Sequence, residues 1–227
     1  MTSSLLDELE SQVTVLAPDS TKHDMEPGFE AMATWLEHQP SDLRSAVVAA
    51  LPAWLTEESH PWHSRAALEL ALRLREESLL ESAVRLARNR GVPDLTAEEK
   101  FEYPGWLIFA LALISTISRW APDHDSPGRA YLRELQAEAR SASSYPKRLL
   151  GIRAWFTECL LQPTRRKACL VDGLKALRSW RDPRLLRSGL TLLHAYFASA
   201  SDTVSDLREI LTPEEFAIAW SELNAST

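Results

Sequence analysis

Apolar residues recur along most of this chain at spacings of three and four, the period at which side chains return to one face of a helix. The stripe is complete in Leu79, Leu80, Ala83, Val84, Leu86 and Ala87, and Gly91 and Pro93 close it. Ser78-Leu-Leu-Glu81 ahead of it has the form of a capping box, in which the Ser oxygen takes a free backbone N–H and the Glu reaches back. Thr212-Pro213-Glu214-Glu215 repeats the signal with Pro at the first helical position, so a last helix begins there and runs to Leu223. The same reading predicts helices near 4–16, 28–38, 42–55, 62–75, 79–90, 105–120, 127–140, 147–161, 165–180, 184–199 and 203–211, with a short turn from Ala97 to Glu102. No run sustains an apolar/polar alternation, so strands are not expected. Brief polar connections make successive helices antiparallel neighbours.

One stretch, YPGWLIFALALISTISRW at residues 103–120, carries no charge before Arg119. Its unbroken apolar run, Trp106 to Ile114, is about half of the roughly 20 residues a membrane crossing needs. Ser115, Thr116 and Ser118 follow, and Pro104-Gly105 reads as a helix start. A helix apolar on all sides is expected to be buried on all sides.

Prolines 27, 61, 104, 146 and 183 each stand just before or inside the first turn of a predicted helix. Their separations, 34, 43, 42 and 37 residues, fall in the range of two-helix repeats. Three units open alike, as His60-Pro-Trp62, Tyr103-Pro-Gly-Trp106 and Tyr145-Pro146, and in two an Arg follows the Pro by four residues, at Arg65 and Arg187. Over residues 27–200 the chain resembles the HEAT family of helical repeats, although Pro104 and Pro146 lack that Arg. The resemblance implies an all-α fold: a right-handed α-solenoid of about five antiparallel hairpins, 11–13 helices in all, with a concave face for a partner. The whole chain is then a single repeat domain, with residues 1–26 as an N-terminal helix and linker and 201–227 as capping helices.

Charge sharpens this picture because it is unevenly placed within a net −7. Residues 1–60 hold eleven acidic side chains against Lys22 and Arg44, a net −9. Residues 140–190 hold twelve basic against Glu158, Asp172 and Asp182, a net +9, and the chain from 191 returns to −5. Ten of the twelve basic residues cluster at 147–153, 165–167 and 178–187, near predicted helix ends, and loops along one edge of a solenoid would bring such clusters together. The competing account is that they are solvated helix faces.

Candidate chemistry is sparse. No nucleophile elbow, phosphate-binding glycine loop or HExxH motif occurs. His60 and His63 share a helix face without a third metal ligand, and Asp123-His124-Asp125 reads as a turn and cap. Cys159 and Cys169 lie five residues either side of Thr164, in a turn between antiparallel helices, so they can approach each other, and both fit apolar stripes as buried small hydrophobes. They are too few for a disulfide framework and are expected to be reduced. Of the eight Trp, 35, 54, 106, 155 and 220 lie in apolar patterns, whereas Trp62 and Trp180 stand beside Arg-rich helix ends.

These features point to a non-catalytic binding protein without cofactor or metal. The expected contact residues are Trp62, Arg65, Arg148, Arg153, Arg165, Arg166, Trp180, Arg181, Arg184 and Arg187. The expected partner is another protein, with an adaptor or an immunity-type binder of a toxin or effector domain as the specific versions. The acidic N-terminus with no apolar segment after it suggests the cytoplasm, and the excess of Arg over Lys suggests a bacterial genome. The alternative is a HEAT-like nucleic-acid binder or DNA glycosylase, with Arg178–Arg187 on phosphates, Trp180 stacking and Asp182 stabilising a cation. Asp182 is also placed to be an N-cap.

Overall fold

The computed structural model describes residues 6–9, 11, 26–59, 61–91, 105–198 and 201–220. These are mostly helical, and no strand occurs among them. The helices are α1 (Glu26–Glu37), α2 (Ser41–Ala50), α3 (Pro61–Leu74), α4 (Glu77–Arg90), α5 (Gly105–Trp120), α6 (Pro127–Ser141), α7 (Tyr145–Leu161), α8 (Arg166–Ser179), α9 (Pro183–Phe197), α10 (Ser201–Ile210) and α11 (Pro213–Trp220). Short 3₁₀ turns at Leu51–Trp54 and Pro163–Arg165 lead out of α2 and into α8. The turn expected over 97–102 and the end of the last helix near Leu223 lie outside the described residues. The described residues form two compact units, one from those within 6–91 and 105–120, the other from those within 121–220.

In the first unit α3 packs against α1, α4, α5 and the 3₁₀ turn. It does so through Ala66, Ala67, Leu68, Leu70 and Ala71, whose small members let neighbouring backbones come close. Arg75 ends α3 in the left-handed region, at φ 57°. That sharp exit starts α4 at Glu77, with Leu79 and Leu80 N–H bonded to the Glu76 carbonyl. Ser78 therefore sits inside the helix, and the capping box expected there does not form. α5 buries Leu107, Phe109, Ala110, Leu113, Ile114, Thr116 and Ile117 against α3 and α4. It is not buried all round, because Ile108 (40% exposed) and Ser115 lie on an open flank. α3 and α5 run in the same direction: Arg119 pairs with Glu69 at 3.0 Å, and Arg75 donates to the Trp120 carbonyl at 2.7 Å.

The second unit is built on α7. α6 lies antiparallel to it, with Arg129 joined to Glu158 at one end and Arg148 Nε donating to the Ala142 carbonyl at the other. A Cβ on Gly151 would collide with Ala139 Cβ and stand 3.2 Å from the Leu135 carbonyl, so only glycine permits this approach. On its other side α7 meets α8 and α9 over Trp155, Phe156, Leu170, Leu174, Leu177 and Phe197. Phe156 takes the edges of Tyr196 and Phe197 at centroid separations of 6.0 and 6.2 Å. α9 runs parallel to α7: the Tyr145 hydroxyl meets Ser188 near both starts and Thr157 meets Tyr196 near both ends. α10 likewise runs parallel to α8, with Arg166 on Thr203 and Arg178 on the Ile210 carbonyl. The Thr212 capping box forms with both arms, Glu215 N–H to Thr212 Oγ1 at 3.2 Å and Thr212 N–H to Glu215 Oε2 at 3.0 Å. No helix among the described residues is long and apolar enough to cross a membrane.

Candidate functional site

Proline at the second position of α7 and the first of α9 fixes where those helices begin, and both starts lie at one end of the second unit. The end of α8 reaches the same place. Arg148, in the first turn of α7, lays its guanidinium over the Trp180 ring at 5.3 Å. Trp180 in turn leans on Trp155 at 6.4 Å, and Arg140 at the end of α6 covers Trp155 at 5.6 Å. Four side chains from α6, α7 and the α8 cap thus form one Arg–Trp–Trp–Arg run.

Beside it, Arg181 leaves α8 with φ 52°, and Asp182 caps α9 by accepting from Arg184 N–H at 2.9 Å and Leu185 N–H at 3.2 Å. Arg184 and Arg187 follow one turn apart on α9. Arg181, Arg184 and Arg187 are exposed and carry no ion pair among the described residues. Arg178, by contrast, is tied to Glu215 at 2.9 and 2.6 Å, and Lys147 to Glu138 at 3.2 Å. The hydrogen bond from Arg178 holds the Glu215 carboxyl below the usual carboxylate range.

The structure brings Arg148, Trp180, Arg181, Arg184 and Arg187 together. It does not bring Arg165 and Arg166 to them, because these open α8, whose fourteen residues put them roughly 20 Å from its far end. Arg166 is bound to Thr203 at 2.7 Å, and Lys167 reaches Glu209 at 2.5 Å and Asp206 at 3.5 Å. Arg153 is half-buried in the middle of α7. Arg65 is half-buried in the first unit, and the side chain of Trp62 lies outside the described residues. Arg140 and Trp155 belong with the site although neither was among the expected contacts. The available signal was that Arg140 and Arg148 flank one short α6–α7 connection.

A cavity of about 180 Å³ opens on the other side of Trp155, among α6, α7 and the start of α8. Arg133, Arg140, Arg165, Gln162, Cys169 and Asp172 contribute to its wall. Glu158 lines it as well, 3% exposed and held by Arg129 Nε at 3.0 Å, Arg129 Nη2 at 2.7 Å and Gln162 Nε2 at 2.6 Å. Cys159 is buried and Cys169 half-buried, both as free thiols. Cys169 Sγ donates to the Trp155 carbonyl at 3.6 Å. Burial first, then the neighbouring Cys169 thiol, pushes the Cys159 thiol up, while the Cys159 thiol brings Cys169 down.

The histidines considered as metal ligands have other surroundings. His63 stacks on Trp54 at 4.9 Å, and His124 meets Asp125 at 3.1 Å in an exposed loop whose helix is capped by Ser126. His60 lies outside the described residues. No group of three or more metal-ligating side chains occurs among the described residues.

Compared with protein families, curated proteins and solved structures, the chain matches none of them.

Proposed function

We propose that this chain is a non-catalytic binding protein, a HEAT-like stack of helical hairpins that holds an acidic surface of another protein against the basic end of its second unit. The observation that carries the reading is the set Arg181, Arg184 and Arg187, exposed and unpaired beside the half-buried Trp180. Three exposed arginines within seven residues, with only Asp182 among them, make a locally positive surface that steers the approach of an acidic partner. Arg and Trp side by side are the residue types that anchor interfaces. The left-handed backbone at Arg181 costs about 1–2 kcal/mol for a residue with a Cβ, as at the helix exits Arg75 and Ala121.

The hairpin-stack reading is supported by the parallel pairs α3 with α5, α7 with α9 and α8 with α10, because corresponding helices of successive hairpins lie parallel in such stacks. An adaptor or an immunity-type binder of a toxin or effector domain is the specific form this reading takes.

The test replaces Arg181, Arg184 and Arg187 with Glu and repeats affinity purification from the native cell extract, alongside Arg181→Gly. The triple variant should lose a partner, and Arg181→Gly should weaken the same partner while raising thermal stability, since glycine accepts φ near 50° without strain. An unchanged set of partners in the triple variant rejects the basic end as the site.

The same arginines would also suit phosphates, so duplex DNA is the second arm. Asp182 spends Oδ1 on two backbone N–H groups, which favours its role as a cap over a part in base excision. No DNA shift at low salt is expected; a shift that collapses with added salt would transfer the site to nucleic acid.

A further inference from the structure

Cys159 and Cys169 are left unused by a binding role, yet their placement is specific. Cys159 is on the last full turn of α7, and the 3₁₀ turn at Pro163–Arg165 folds the chain back so that Cys169 lies on the first turn of α8. Cys169 Sγ sits 3.6 Å from the carbonyl of Trp155, the residue one helical turn before Cys159, which sets Cys169 alongside that turn of α7, and each thiol is the other's electrostatic neighbour. One thiol is sealed in the core, with no exposed surface on Cys159. The other forms part of the wall of the 180 Å³ cavity, which Arg133, Arg140 and Arg165 line together with Glu158 and Asp172. A half-exposed sulfur in a cavity wall is open to small reagents, and the neighbouring Cys159 thiol, with Arg165 as a smaller contributor, outweighs burial and the carboxylates of Glu158 and Asp172 in favouring the Cys169 thiolate.

We propose that Cys169 and Cys159 form a modification site for small hydroperoxides, with Cys169 the attacking sulfur and Cys159 the resolving one. The Cys169 thiolate attacks the outer oxygen of the hydroperoxide, the O–O bond breaks, and the alkoxide takes up a proton and leaves as alcohol, or as water when the oxidant is hydrogen peroxide. Cys169 is then a sulfenic acid. Cys159 sulfur attacks it, the S–O bond breaks, and the hydroxyl leaves with the Cys159 proton as water. The two thiols are oxidised to one disulfide and one hydroperoxide is reduced. Bond formation requires the two sulfurs to close to about 2.05 Å. The cavity admits a molecule of peroxide size, and the burial of Cys159 keeps it from being oxidised first.

Full-length reduced protein is treated with a slight excess of hydrogen peroxide, quenched, and measured by intact mass. A loss of about 2 Da, reversed by dithiothreitol, with one linked peptide spanning both cysteines, is the expected result. In Cys159→Ser the sulfenic acid has no resolving thiol, so dimedone should label Cys169 nearly completely, at least tenfold more than in the parent chain. In Cys169→Ser no label and no mass loss should appear at the same peroxide dose. Cys159→Ala, checked by circular dichroism, repeats the trapping if the Ser variant folds poorly. Absence of the intramolecular link in the parent chain, or equal dimedone labelling with and without Cys159, rejects the proposal.

Discussion

Arg129 and Glu158 meet as a two-pronged pair inside the second unit, their side chains only 5% and 3% exposed. The pair joins the first turn of α6 to the last turns of α7, and Gln162 gives the carboxylate a third donor. With both ions satisfied, the desolvation cost is met by short charge-assisted bonds; with one removed, the other is a buried charge without its counter-ion.

Arg129→Met and Glu158→Leu should therefore each destabilise the fold by about 3–5 kcal/mol. The double replacement should recover most of that loss, because no buried charge is then left alone. Urea unfolding of all four chains measures the coupling directly. Simple addition of the two single losses would show that the pair does not act as a unit.

Gly151→Ala should be destabilising although alanine is the better helix former by about 1 kcal/mol. The added methyl meets Ala139 Cβ and the Leu135 backbone, and backbone cannot rotate away as a side chain can. A net loss of about 1–3 kcal/mol is expected from overpacking of this kind. Ala139→Gly in the same chain vacates one of the colliding atoms, and thermal melts should show partial recovery.

Glu215 makes stability depend on acidity. Its folded-state pKa is lowered, chiefly by Arg178, so the stabilisation is fully present above the ordinary carboxylate value of about 4.3 and is lost as pH falls through the lowered one. Arg178 is partly open to water, which keeps the expected contribution near 1 kcal/mol. Glu215→Gln should be less stable than the parent at pH 7 and converge on it at pH 2–3 in urea titrations. A gap that persists at low pH would assign the effect to the Thr212 capping contacts alone.

Helix positions were legible because the three-and-four spacing of apolar residues is a local signal. Most helices start or end within two or three residues of the pattern. The failures have local causes too. Ser78 had the right neighbours for a cap, but the left-handed exit at Arg75 begins the helix ahead of it, and a positive φ at Arg leaves no mark in the sequence. The open flank of α5 at Ile108 was illegible for a different reason: hydrophobicity reports that a side chain prefers burial, not whether a neighbour arrives to cover it.

The basic clusters show the same division at the level of the site. Their charge and their closeness to helix ends could be read directly, yet the ends themselves separate on folding. Arg165 and Arg166 go to one end of α8, while Arg148 and Arg181 meet at the other through Trp180.

By itself the order of residues determined that the described chain coils into helices, where Pro, Gly and acidic caps begin and end them, and which faces seek cover, since each depends on neighbours within a few positions. Only the tertiary structure decided that Arg140 shares a stack with Arg148, that Arg129 finds Glu158, and that Cys169 lines a cavity while Cys159 is sealed in the core. Those relationships rest on how helices rotate and approach, and a substitution as small as a glycine Cβ between α6 and α7 is enough to set that distance.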